Sequence, residues 1–137
     1  MTMMFGAGLA PAALASLAVP ALAEVAAPAP EPTLGGWIAR DRELAQRGVA
    51  SVDHPEMQQL YGDVVAALGK ARAAIAAQRA AGAPPAACLP PPGAVQLTSR
   101  KIGTWLSARP AAEQGEALSA VMARFLAARF PCPAPSQ

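Results

Sequence analysis

The chain has 137 residues, 53% hydrophobic but only 4% aromatic, and a formal net charge of +2 from eleven basic and nine acidic side chains. That length builds one domain with a modest core, and so even a charge balance argues against a nucleic-acid-binding surface or an acidic tail. Alanine supplies much of the hydrophobic content, and no stretch sustains the alternation of β-branched and aromatic residues that strands require. The expected class is all-α, a small bundle of about four helices whose core comes from a short set of larger residues.

Residues 1–23 carry no ionisable side chain and end Pro20-Ala21-Leu22-Ala23, after which Glu24 opens a polar, proline-rich stretch. An apolar run closed by an Ala-x-Ala site is the pattern of a secretory signal peptide, with cleavage expected between Ala23 and Glu24. The competing reading is a retained membrane anchor, which Pro11, Pro20 and the glycines disfavour as a stable spanning helix. Export places the mature protein in the periplasm, where two thiols can stay paired. Residues 24–33, Glu-Val-Ala-Ala-Pro-Ala-Pro-Glu-Pro-Thr, read as an extended linker with nothing to bury. Residues 34–133 are the helical domain, and 134–137 a disordered tail.

From Leu34 to Arg47, Trp37, Ile38, Asp41, Leu44 and Ala45 share one helical face, and Gly48 is a natural stop. Asp53-His54-Pro55-Glu56 has the form of a capping box, with Asp53 as N-cap, Glu56 three residues on and Pro55 in the first turn. Met57, Leu60, Tyr61, Val64, Val65, Leu68 and Ile75 then recur at helical spacing to about Ala81, before Gly82 and Pro84. Gly62 and Gly69, one heptad apart in that helix, suggest close approach of another helix, since each costs about 1 kcal/mol relative to alanine. Lys70, Arg72 and Arg79 read as a solvated face.

A proline-stiffened connection from Gly82 to Gly93 carries Cys88. A third helix is predicted from Leu97 or Thr98 to Arg109, with Ile102, Trp105 and Leu106 inward and Pro110 beyond it. A last helix is predicted from about Ala112 to Arg129, with Leu118, Val121, Met122, Phe125 and Leu126 as its stripe. Phe130 follows, then Cys132 between Pro131 and Pro133. The expected core anchors are Trp37, Tyr61, Leu68, Trp105, Leu106, Phe125 and Phe130.

Little catalytic chemistry is legible. His54 is the sole histidine, the two cysteines have no zinc-ligand or Cys-x-x-Cys spacing, and no phosphate loop or nucleophile-elbow motif occurs. No metal, cofactor or enzymatic activity is expected, and a Cys88/His54 nucleophile pair gives way to simpler roles for both residues. Cys88 and Cys132, each beside prolines and just outside a helical segment, read as a disulfide joining the ends of the last helical hairpin. Closing a loop of about 45 residues contributes ~4 kcal/mol in the chain-entropy treatment, against a total stability of ~5–15 kcal/mol for a domain of this size.

Cys88-Leu89-Pro90 followed by Gly93, Trp105-Leu106 shortly before Pro110, and a helix running into Phe130-Pro131-Cys132-Pro133 together form a distinctive pattern. In this pattern the segment from about Leu60 to Pro133 resembles the small helical immunity proteins of type VI secretion, the Tai and resistance-associated (Rap) family. The resemblance implies an exported, homodimeric, non-catalytic protein that binds and occludes a peptidoglycan-cleaving amidase, with a protein as partner and neither nucleic acid nor, after cleavage, membrane. Two other readings stand beside it: a periplasmic stress or chaperone-like helical protein, and an envelope structural protein tethered by an uncleaved N-terminus.

Overall fold

A computed structural model of the chain describes residues 29–135, so the expected signal segment, its Ala23/Glu24 cleavage site and the first half of the linker lie outside the described residues. Four α-helices follow in order: α1 (Leu34–Gln46), α2 (Pro55–Ala80), α3 (Ser99–Ser107) and α4 (Leu118–Arg129), with a short 3-10 turn, Ala111–Glu113, before α4. Among the described residues there is no strand, only an isolated bridge between Thr33 and Ala117. The all-α expectation holds. None of these helices is long and apolar enough to cross a membrane.

The first two helices form an antiparallel pair whose register is written in its charges. Along α1 and the segment before it, Glu31, Arg40 and Arg47 pair with Lys70, Asp63 and Glu56 of α2, ascending against descending. Both helices end as their glycines predict. Gly48 and Gly82 have φ of +74° and +70°, and the N–H groups that follow fold back on the last turn: Gly48 to Ala45 and Val49 to Leu44, Gly82 to Arg79 and Ala83 to Gln78. This is the Schellman arrangement, which satisfies carbonyls a helix end would otherwise leave unpaired.

At the start of α2 the expected capping box is corrected. The N-cap is His54, not Asp53: its Nδ1 accepts from the Glu56 N–H at 3.3 Å. Pro55 is then the first helical residue and Glu56 the second, too early to reach back as a box, and its carboxylate goes to Arg47 instead. The shift of one residue places proline where its missing N–H is harmless.

The last helix is shorter than its periodicity suggests. Residues 112–117 do not continue it, and two of their carbonyls are taken by another part of the chain. The N–H groups of Leu34 and Gly35, at the start of α1, donate to the carbonyls of Glu116 and Gln114 at 2.9 and 2.8 Å. A side chain at Gly35 would sit 3.0 Å from that Gln114 oxygen, so the close approach of backbones that glycine permits is here. Gly62 and Gly69, by contrast, face solvent beside Val65, which is 69% exposed, and a Cβ at either would meet nothing within 4 Å. The expectation that they mark a helix contact is not met.

The core is one cluster. Leu34, Trp37, Ile38 and Leu44 of α1 join Met57, Leu60, Val64, Ala67, Ala71 and Ile75 of α2 and Ile102 and Leu106 of α3. Leu118, Val121, Met122, Phe125 and Leu126 of α4 complete it, and all but Phe125 of these five are wholly inaccessible. α4 packs chiefly on α2, where Ala67 and Ala71 let it come close, while α1 touches α2, α3 and α4. Of the expected anchors, Trp37, Leu106 and Phe125 are buried, and Tyr61, Leu68, Trp105 and Phe130 lie partly buried against the cluster. Trp37 also donates its indole N–H to the Leu60 carbonyl at 3.1 Å, which fixes α1 to α2. Trp105 meets Phe125 edge-to-face at 5.2 Å, tying α3 to α4.

Cys88 and Cys132 form a disulfide with Cα atoms 4.8 Å apart, joining the two ends of the segment that carries α3 and α4. Replacing either cysteine with alanine should lower the melting temperature by about 10 °C or more, given a loop contribution of ~4 kcal/mol. Reductant should lower the parent's melting temperature similarly and leave the variants' unchanged. Gly62→Ala and Gly69→Ala should each raise stability by about 1 kcal/mol, read from urea midpoints, because nothing opposes the added methyl groups.

Candidate functional site

The clasp region is built from two proline-rich segments that cannot continue a helix. After Gly82 reverses the chain, Gln78 accepts from the Ala86 N–H at 2.8 Å through its side-chain oxygen, holding the loop against the helix it has just left. Ala87 is then fully buried, and the Cys88 N–H donates to the Phe130 carbonyl at 2.9 Å. Cys132 Sγ lies 3.8 Å from the Pro85 carbonyl oxygen. The segments around Cys88 and Cys132 therefore lie side by side, joined by one backbone hydrogen bond and one covalent bond. Leu89 and Phe130 project from them onto the core cluster.

Beside this clasp is a groove of about 250 Å³ walled by Leu89 and Pro90 to Gly93, with Val95, Leu97 and Phe130 as its apolar lining and Arg72 of α2 on its rim. Two other hollows flank α1. One, of about 330 Å³, is occupied by the ion-paired side chains Arg40, Glu43, Arg47 and Glu56. The other, of about 540 Å³, is a shallow trough between α1, α2 and α3 where Asp41, Arg100, Thr104 and Ser107 stand beside Trp37, Tyr61 and Ala108. The first of these hollows is a structural ion-pair cluster. Arg72 and Arg100 both lack an ion-pair partner among the described residues, but of the three hollows only the clasp groove is lined by a cation and no acid.

The residues considered for chemistry are not brought together. Cys88 is consumed in the disulfide and His54 in capping α2, so neither thiolate nor free imidazole acceptor forms a pair. No group of three or more His, Cys, Asp or Glu among the described residues could hold a metal ion. The chain matches no protein-family model, no curated protein and no solved structure.

One residue that sequence reasoning assigned to the linker proves structural. Glu31 places one carboxylate oxygen 2.8 Å from the Ser119 N–H and the other 3.2 Å from Lys70 Nζ. The Pro32 carbonyl accepts from the Leu118 N–H at 3.0 Å. Ala117, the N-cap of α4, has no capping side chain, so Glu31 and Pro32 supply the missing acceptors from 88 and 86 residues away. The domain thus begins at Glu31 rather than Leu34. Partial burial raises the Glu31 pKa, but hydrogen bonding by Ser119 and the Lys70 ammonium outweigh it and hold the carboxyl below its ordinary value. Arg124 is held protonated more firmly than usual by its bond to Glu116, with burial opposing and Glu113 adding.

Because the folded pKa of Glu31 is depressed, its contribution is complete above the unfolded value of about 4.3 and is lost as pH falls through the folded one. Glu31→Ala should therefore destabilise by about 1 kcal/mol at pH 7, the usual effect of losing a helix cap. In thermal melts the gap between variant and parent should close as the pH is lowered below the ordinary carboxylate range.

Proposed function

We propose that this is a non-catalytic periplasmic binding protein, an immunity-like inhibitor of a peptidoglycan amidase. The observation that carries the reading is the disulfide between Cys88 and Cys132, because it closes the Cys-Leu-Pro and Phe-Pro-Cys-Pro motifs on each other. Those two motifs bear the resemblance to the Tai and Rap immunity proteins. A disulfide is also what an exported domain of this size can use to supplement a modest core.

The physical logic suits inhibition by binding. An inhibitor must hold a fixed surface so that little conformational entropy is lost on association. Here the prolines, the disulfide and the mutual bond between Cys88 and Phe130 restrain one end of the domain before any partner arrives. The inhibitor needs no reactive group of its own: it excludes substrate from an enzyme's cleft.

The test is direct. Oxidised protein should retain a cell-wall amidase from envelope extract, and should inhibit that enzyme's release of peptides from purified peptidoglycan stoichiometrically. The reduced protein or Cys132→Ala should inhibit less. Recovery of a mixed set of unfolded proteins with suppression of their aggregation, and no effect on amidase activity, would instead establish the chaperone-like reading. N-terminal sequencing of the exported protein should begin at Glu24, and a retained residue 1 would establish the tethered one.

A further inference from the structure

We infer that the groove beside the clasp is a docking site for an acidic segment of a partner protein, one that seats a large apolar side chain with carboxylates next to it. This rests on the binding reading above for the partner being a protein, but the chemistry comes from the groove itself. Its lining of Leu89, Val95, Leu97 and Phe130 leaves large side chains accessible, Val95 at 39%, on a surface otherwise rich in alanine. Its volume of about 250 Å³ suits one or two side chains of an extended segment, not a helix. Its wall is stiffened by Pro90, Pro91 and Pro92 and fastened through Cys88 to the end of α4, so the shape exists before binding.

The charge of the occupant follows from the distribution of ion pairs. Among the described residues, Glu31, Glu43, Glu56, Asp63, Glu113 and Glu116 are ion-paired and Asp41 and Asp53 are not, and none of the eight lines the clasp groove. Arg72 on the groove rim has no acidic partner, and neither does Arg129, whose guanidinium lies 5.8 Å from the ring of Phe130 in the groove wall. A segment covering this groove strips water from the Arg72 guanidinium, which is favourable only if it brings a carboxylate to it, and Arg129 stands near enough to attract a second. Arginine beside an aromatic and aliphatic pocket is also the composition that concentrates binding energy in protein interfaces.

The test uses oxidised full-length protein, isotope-labelled, titrated with the peptide Ac-Glu-Phe-Glu-Leu-amide and with its counterpart Ac-Lys-Phe-Lys-Leu-amide. The acidic peptide should shift the amide resonances of Leu89, Gly93, Val95, Leu97 and Phe130 saturably, and the basic one should not. Arg72→Gln, at an exposed position, should keep the parent's melting temperature and weaken the acidic peptide at least about fivefold, and added salt should weaken it in the parent. Equal shifts with both peptides, shifts centred elsewhere, no saturable shift, or undiminished binding by Arg72→Gln would overturn the assignment. The amidase assay separates the two readings. Full inhibition by Arg72→Gln refutes the groove and leaves the inhibitor role standing, whereas charge-selective peptide binding without amidase inhibition does the reverse.

Discussion

Two helix N-termini complete each other in this protein, and much of its architecture depends on that exchange. A helix start leaves N–H groups unpaired and concentrates partial positive charge. At α1 those groups are met by the carbonyls of Gln114 and Glu116 and by the Thr33 hydroxyl, and at α4 by the Pro32 carbonyl and the Glu31 carboxylate. Each helix is therefore capped by the chain that leads into the other. The negative charge of Glu31 sits where the helix start favours it, and Lys70 of α2 balances it from the side. The arrangement joins the first described segment to the last helix and makes 111–117 a turn rather than a helix.

The consequence is that α4 is held at both ends. Its N-terminus is fastened by hydrogen bonds to residues 31 and 32, and its C-terminus by the Phe130 carbonyl and the disulfide at Cys132. Between these points it carries four wholly buried side chains, Leu118, Val121, Met122 and Leu126, and packs chiefly on α2. With so few aromatic residues, the domain gains little from any one contact. The disulfide compensates in part, because it persists in the unfolded chain and lowers the entropy that ordering the segment carrying α3 and α4 would otherwise lose.

Charge is arranged to the same end. The α1–α2 pair aligns its register through successive ion pairs of Glu31, Glu56 and Asp63, which individually contribute little when exposed. At the clasp end, Arg72 and Arg129 have no ion-pair partner among the described residues and stand beside an apolar groove. A rigid end with an uncompensated charge and accessible apolar walls is a surface suited to recognition, and the motifs that suggest an immunity-like role form its wall.

The amino-acid sequence by itself determined the class of the fold, the helix ends at Gly48 and Gly82, the inward stripes and the pairing of the two cysteines. These follow from local physics: alanine's helix preference, the left-handed conformation open to glycine, the period of apolar residues, and two thiols with no other partner. Tertiary structure decided what local rules rank almost equally. His54 rather than Asp53 caps α2 while Glu56 pairs with Arg47, and the Gln114 and Glu116 carbonyls are taken by the start of α1 instead of continuing α4. Gly62 and Gly69 face solvent, while the close backbone approach falls at Gly35, which no periodicity marks. The role of Glu31 and the place of Arg72 on the groove were invisible for the same reason: each depends on partners far away in the chain, which only packing brings within reach.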